Sequence, residues 1–499
     1  MSKLYFDVNS KPSISQTVVF AFQQILAIMA ATIAVPAIVG NGLTPAAALF
    51  GAGCGTLIYI LFTKRKSPVF LGSSFAFINS MFASFAGAAT MALGWLGLII
   101  GALFAGLVYV VIAVLIKFLG TKWIDKIMPA VVIGPTVAII GLSLAGNAIG
   151  DLTTGDVTHE VTNQVAVIGE GGLPEIVTEA TNVMSGSVYV ALVCGLVALF
   201  TTMIASTYGK KMVKLIPFII GIGAGYVVAL LFTLIGNAAK FDAFKILDFG
   251  VFSRYMLTDG HITFKSFLSL PDLIFIKAFG AFGDLSFGYI LTVFVAYVPV
   301  AFVTFAEHLA DHKNLSTIID HDLTTDPGLD RTLLGDGVGS MVGAFFGGCP
   351  NTTYGESVAT VAITKNASVI TIIFAAVGCI ILSFFTPLVA LIDSIPTCVM
   401  GGVCVALYGF ISVSGLKMIQ NVDLGKNVNL FTVSVILIGG IGGLTLSFGK
   451  VTLTEVACAL ILGIVTFAIL KKEKDTTAEE VEAAPAEETP AETETVEAE

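Results

Sequence analysis

Residues 347–356 read Gly347-Gly348-Cys349-Pro350-Asn351-Thr352-Thr353-Tyr354-Gly355-Glu356. They follow an apolar run that also holds Gly339 and Gly343, and they end on a carboxylate. A second carboxylate, Glu307, closes another apolar run, Tyr289 to Ala306. An acid inside a bilayer is costly and marks a substrate, ion or proton path. Two of them, one beside a glycine-rich break in the hydrophobic pattern, point to a transport site. Close helix packing accounts for Gly339 to Gly348 but leaves Glu356 without a reason.

That reading requires a membrane protein, and the composition supplies one. The chain is 56% hydrophobic and 12% charged, against roughly 25% charged in soluble domains. No charge occurs between Lys11 and Lys64, nor from Ser67 to Ile116. Each gap accommodates two spans of roughly 20 residues. The polar stretch Met1 to Gln16 has no cleavable signal pattern. The net charge of -10 resides in the tail, where residues 473–499 hold eleven acids and one lysine. That Glu/Ala/Thr/Pro-rich segment cannot bury a core and reads as disordered and solvated. The seven cysteines lie in or beside apolar segments without metal-ligand spacing, and read as small buried hydrophobes.

Apolar runs predict an all-α polytopic protein of about fourteen spans: 15–39, 44–62, 69–86, 92–116, 129–149, 186–206, 213–235, 287–310, 332–348, 354–364, 367–387, 396–414, 427–446 and 451–470. Lysines and Arg65 follow spans two, four, six, twelve and fourteen (Lys64, Lys66, Lys117, Lys122, Lys126, Lys210, Lys211, Lys214, Lys417, Lys426, Lys471, Lys472), whereas the short opposite loops carry only Lys450. The positive side is cytoplasmic, so both termini are expected there. The polar loop 150–185 and the mixed segment 236–286 are expected outside, the latter as interfacial helices or strands.

Seven spans in each half make the halves opposite in orientation. The third span of each is broken, at Leu71-Gly72-Ser73-Ser74-Phe75 and at Thr353-Tyr354-Gly355-Glu356. Paired broken spans in inverted halves point to a midplane binding site. A helix that starts at such a break offers unpaired N–H groups to a ligand carbonyl.

Glu307 is followed by His308, Asp311 and His312, with Asp311 four residues on and on the same helical face. A desolvated acid beside a like charge favours its neutral form, which suits a group that takes up a proton. Glu307 is expected about one turn from the cytoplasmic end of its span. His308, His312 and His321, with Asp320 and Asp322, read as a solvated loop rather than a metal site, and Asp336 and Glu455 as helix-end or gate residues. No phosphate-binding loop and no nucleophile–base arrangement is present, so neither an enzyme nor an ATP-driven pump is indicated. No cofactor or metal is expected.

Four strings, Leu71 to Phe77, Phe305-Ala306-Glu307-His308, Asp326-Pro327-Gly328-Leu329 and Pro350 to Glu356, resemble bacterial uracil permeases of the nucleobase–ascorbate transporter (nucleobase:cation symporter-2) family. The resemblance covers nearly everything but the tail. It implies a 7+7 inverted repeat with a short strand before each half-helix. A core domain would comprise 15–116 and 287–387, and a gate domain 117–235 and 388–470. Around them would lie a cytoplasmic N-terminus at 1–14, an extracellular connection at 236–286 and the cytoplasmic tail at 471–499. It implies a multi-pass plasma-membrane protein, homodimeric in that family's manner, that binds no nucleic acid and imports a nucleobase with protons. By position, Glu356 would accept a ring N–H, the amides of Phe75 and Gly355 would meet ring carbonyls, and Ala31 and Tyr354 would line the pocket. Glu307, with Asp311, would couple the proton. The chain has Gln24, Asp311, Ser357 and Ala359 where the family often has His, His, Asn and Gly. Uracil is the first-choice substrate; xanthine or uric acid on the same site, and an anion on the same architecture, are the alternatives.

Overall fold

The computed structural model describes residues 4–471 apart from 122, 169–173, 211, 258–259 and 449–450. The acidic tail from Lys472 onward, Lys122, Lys211 and Lys450 therefore lie outside the described residues. Each expected span coincides with a helix. The first half contains Ile14–Val39, Pro45–Phe62, Ile78–Ala86, Met91–Leu119, Ala130–Ser143 continued by Ala145–Leu152, Val188–Tyr208 and Pro217–Ala239. The second contains Phe287–Ile319, Leu329–Gly347, Gly355–Thr364, Val369–Ser383, Thr397–Met418, Asn427–Ile441 and Glu455–Leu470. Among the described residues eight helices are long and apolar enough to cross a membrane. Several begin where a Ser or Thr side chain accepts from the first turn: Ser13, Thr44, Thr90, Ser187 and Ser286. Such caps satisfy N–H groups that the helix leaves without partners.

The third segment of each half is a strand followed by a short helix. Leu71–Ser73 pairs antiparallel with Asn351–Thr353, setting Gly72 opposite Thr352. Non-helical backbone at membrane depth persists only where protein satisfies it, and here it does. Ser74 N–H donates to the Pro350 carbonyl (2.9 Å) and Tyr354 N–H to the Phe70 carbonyl (3.3 Å). The Thr56 hydroxyl serves both polar groups of Leu71, and the Asn351 amide donates to the Gly51 carbonyl (3.1 Å). Close helix packing holds this crossing in place. Gly339 and Gly343 face Gly55 and Gly51, and a Cβ on Gly51 would lie 2.5 Å from the Gly343 carbonyl oxygen. Four-residue spacing of small residues on both helices permits that approach.

Packing sorts the helices into two groups. Pro45–Phe62 lies against Leu329–Gly347 and Val369–Ser383, and Met91–Leu119 against Leu329–Gly347 and Phe287–Ile319. In the other group Thr397–Met418 lies against Ala130–Ser143 and Val188–Tyr208, and Asn427–Ile441 against Glu455–Leu470. The loop expected outside contains a hairpin, Thr158–Ile168 with Pro174–Met184. Segment 236–286 resolves into short helices, including Gly250–Met256 and Ile274–Ala278.

Three expectations fail. The helix bearing Glu307 runs on to Ile319, so Glu307 is not one turn from its end. His308 and His312 are fully buried rather than part of a solvated loop; only His321 lies in the following, exposed loop. Asp336 sits in mid-helix, fully buried, not at a helix end. The polar run after Glu307 looks solvated in sequence because its partners are distant in the chain.

Candidate functional site

Both half-helices point their first turns into one place. A cavity of about 390 Å³ is lined by Glu307, Asp311, Gly355, Glu356 and Thr360, and on the opposite wall by Phe218, Phe410 and Ser414. A narrower space of about 60 Å³ shares Glu307, Gly355 and Glu356 with it and adds Ser74, Phe75, Ala76 and Tyr354. The site thus lies between the two helix groups. Glu356 occupies the first turn of Gly355–Thr364, where the helix dipole favours an anion. Tyr354 is fixed by its hydroxyl, which donates to the Ser73 carbonyl (2.6 Å). The Thr353 hydroxyl donates to Asp311 Oδ2 (3.1 Å). Among the described residues no lysine or arginine pairs with Glu307, Asp311 or Glu356. Three acids without a counter-ion can take up protons or accept from a neutral ligand's N–H groups; they repel an anion.

Phe75, Glu307, Asp311, Tyr354, Gly355 and Glu356 are therefore brought together. Ala31 is buried in the first helix and lines neither space; Ala27, one turn earlier, lines the larger. The sequence reading missed Phe410, which edges both spaces from the opposite group. It also left Gln24 and Ser357 as separate substitutions. In the structure the Gln24 amide donates to the Ser357 hydroxyl, which also accepts from Phe70 N–H (3.0 Å). The two changes thus form one bonded pair behind Glu356. Glu455 starts its helix and accepts from the Asn79 amide.

The cavity beside Glu356 reaches Lys214 and Met418, at one end of Thr397–Met418. A separate cavity of about 480 Å³ lies at that helix's other end, lined by Asp156, Asp248, Arg254, Asp393, Thr397 and the close of the first helix at Pro36 to Gly40. Here every acid has a partner. Asp156 accepts from Thr397 N–H (3.1 Å) and from its hydroxyl (2.5 Å). Arg254 pairs with Asp248 at 3.3 Å, and the Tyr255 hydroxyl bonds Asp393. Burial pushes the Asp156 carboxyl above its ordinary range, partly offset by the Thr397 hydrogen bonds.

A multi-pass helical membrane protein with a ligand-sized site between two broken spans is, in class, a transporter. A family model described as "Permease family" matches residues 15–448, and the chain belongs to that family. It is 36% identical over 473 residues to the uracil permease of Bacillus caldolyticus, covering 94% of this chain and 95% of that protein. It is 35% identical to the uracil permease of Bacillus subtilis (95% and 97%) and 32% to that of Escherichia coli K12 (94% and 95%). The fold is similar to the transmembrane domain of the cyanobacterial bicarbonate transporter BicA, with TM-score 0.58, 14% identity, and coverage of 92% and 99%. It also resembles the murine Slc26a9 anion transporter, with TM-score 0.60, 12% identity, and coverage of 93% and 69%. At those identities the likeness concerns fold alone. As a permease the chain is not an enzyme.

Proposed function

We propose that this protein is a proton-coupled symporter that imports uracil. The carrying observation is the unpaired Glu356 carboxylate at a half-helix N-terminus, facing the same space as Phe75, Gly355 and Glu307. Uracil presents N–H donors and carbonyl acceptors on a flat ring. A carboxylate beside two helix N-termini complements that edge, and a site that pairs each group rejects analogues that leave one unpaired. The uracil permeases among the relatives favour this substrate over xanthine or uric acid. The anion reading draws on fold likeness alone and conflicts with three acids that no lysine or arginine pairs with among the described residues.

In the proposed cycle Glu307, with Asp311, carries the proton, and Tyr354 shapes the pocket. The helix group with the half-helices, 15–116 and 287–387, is the moving core, and 117–235 with 388–470 is the gate. Both termini are cytoplasmic by the lysine distribution, which makes the cavity reaching Lys214 the inward-open one. A homodimer belongs to the same reading, on the family resemblance alone.

The test is uptake of radiolabelled uracil into proteoliposomes under an imposed pH gradient. Accumulation that needs the gradient and resists competition by xanthine is expected. Glu307→Gln should retain uracil binding and lose accumulation. Gradient-driven accumulation by that variant would remove Glu307 from the coupling role, and uptake competed only by purines would replace the substrate.

A further inference from the structure

Behind Glu307, on the face turned from the cavity, lies a polar cluster that the cycle above does not use. His308, Asp336 and Thr332 are each 0% exposed. His308 Nδ1 lies 2.7 Å from Asp336 Oδ2, and its Nε2 lies 3.0 Å from Thr332 Oγ1. The Thr332 hydroxyl has a second acceptor, the Leu329 carbonyl, at 3.1 Å. Asp336 Oδ1 is buried with no partner among the described residues. His312 stacks on His308 with ring centroids 3.9 Å apart, but its Nδ1 donates to the His308 carbonyl (2.8 Å) and its Nε2 meets the Tyr59 hydroxyl (2.6 Å). Both its nitrogens are thereby occupied.

The hydroxyl poised between two acceptors matters because it permits two protonation states without moving a heavy atom. In one state His308 is neutral, donates Nδ1–H to the Asp336 carboxylate, and accepts the Thr332 proton at Nε2. The cluster then carries one negative charge. In the other a proton has bonded to Nε2. That N–H donates to Thr332 Oγ1, whose own hydrogen turns to the Leu329 carbonyl, and the cluster is neutral overall. Buried polar groups must keep their partners, and both states do so at the imidazole and the hydroxyl. The second state also relieves the net charge of a carboxylate whose Oδ1 lacks a donor. A purely structural ion pair would need neither the alternative acceptor nor the open carboxylate oxygen.

We infer that His308, Asp336 and Thr332 form a second proton-holding site, separate from the substrate cavity, whose charge sets how tightly Glu307 holds its proton. The inference rests on the reading of Glu307 as the coupling acid. Glu307 directly precedes His308, and Asp336 lies within electrostatic reach of both Glu307 and Asp311. The other titratable groups facing the site are His312 on the same helix, Tyr109 from Met91–Leu119, whose ring centroid is 6.4 Å from that of His308, and Tyr59 behind His312. None of these supplies a fixed positive charge, so the state of the cluster acts directly on Glu307.

The experiment measures initial uracil uptake by the full-length protein in proteoliposomes from pH 5 to 8, with uracil binding followed separately by thermal stabilisation. Asp336→Asn removes the negative charge and Thr332→Val removes the rotating hydroxyl at nearly constant shape. Both variants should bind uracil within a few-fold of the parent, yet displace the uptake midpoint by about one unit, a tenfold change in proton affinity: to lower pH for Asp336→Asn, whose cluster carries no negative charge, and to higher pH for Thr332→Val, which leaves the Nε2–H of the protonated state without an acceptor and so holds the cluster charged. Thr332→Ser, which restores the hydroxyl, should restore the midpoint. Asn and Val variants that bind uracil and keep the parental midpoint would overturn the inference. If Asp336→Asn does not fold, the Val and Ser pair decides. Glu307→Gln separates the two readings: if it accumulates uracil, the coupling role of Glu307 falls. If it does not, and Thr332→Val keeps the parental profile, only the second site falls.

Discussion

Two acid-lined cavities sit at opposite ends of the helix Thr397–Met418, and they differ in what their acids touch. At one end Asp156, Asp248 and Asp393 each hold a hydrogen-bonded or ionic partner. At the other, Glu307 takes no hydrogen bond from a described side chain and Glu356 has no cation beside it. Counting carboxylates would rank the two alike. Their unsatisfied valence separates them: satisfied acids tie loops and helix ends together, whereas unsatisfied ones keep capacity for a ligand or proton.

The largest effect should come from the acid with the most capacity to spare. Glu356→Ala removes a charged acceptor, and a hydrogen bond to a charged group contributes about 1.5–3 kcal/mol. Uracil affinity should fall on the order of 100-fold, measured by calorimetric titration of the purified protein. Tight residual binding would break the contrast, because the cavity at Glu356 would then be no more a site than the one at Asp156.

A middle-sized effect should come from the scaffold beneath that acid. A Cβ on Gly72 would stand 2.4 Å from ring carbons of Tyr354 and 2.9 Å from the Thr32 hydroxyl. Overpacking of this kind costs roughly 1–3 kcal/mol. Gly72→Ala should therefore lower the melting temperature in detergent and weaken uracil binding together. A loss of stability with binding intact would mean that the strand crossing does not position the ligand.

The two cavities were not equally legible in the sequence. Glu307 and Glu356 stand out because a charge in an apolar run has no bland explanation, and the paired breaks at Ser73 and Thr353 place them in one space. The other cavity draws on loops at Asp156 and Asp248, where an acid in a polar stretch carries no signal. The buried cluster was hidden for a different reason. His308 lies 28 residues from Asp336 and His312 lies 253 from Tyr59, so the run Asp311 to Asp322 looks solvated until its partners are placed. The Gln24 to Ser357 bond, 333 residues apart, was hidden in the same way.

The smallest effect, and the sharpest test of the contrast, belongs to Asp156. Burial holds its carboxyl above the ordinary range, near 4 for a free aspartate. A group raised on folding contributes stability at low pH and loses it as pH rises through the folded value, because the unfolded chain gives up its proton first. Asp156→Asn cannot titrate but retains an oxygen to accept from Thr397. The melting temperature of the parent relative to this variant should therefore be highest in acid and decline as pH rises from the ordinary aspartate value toward neutrality. Asp393, also raised by burial, is present in both proteins, so the difference reads Asp156 together with its repulsion by Asp393. A difference independent of pH would show that Asp156 does not change charge across this range, leaving its bonds to Thr397 as its sole contribution to this end of the molecule.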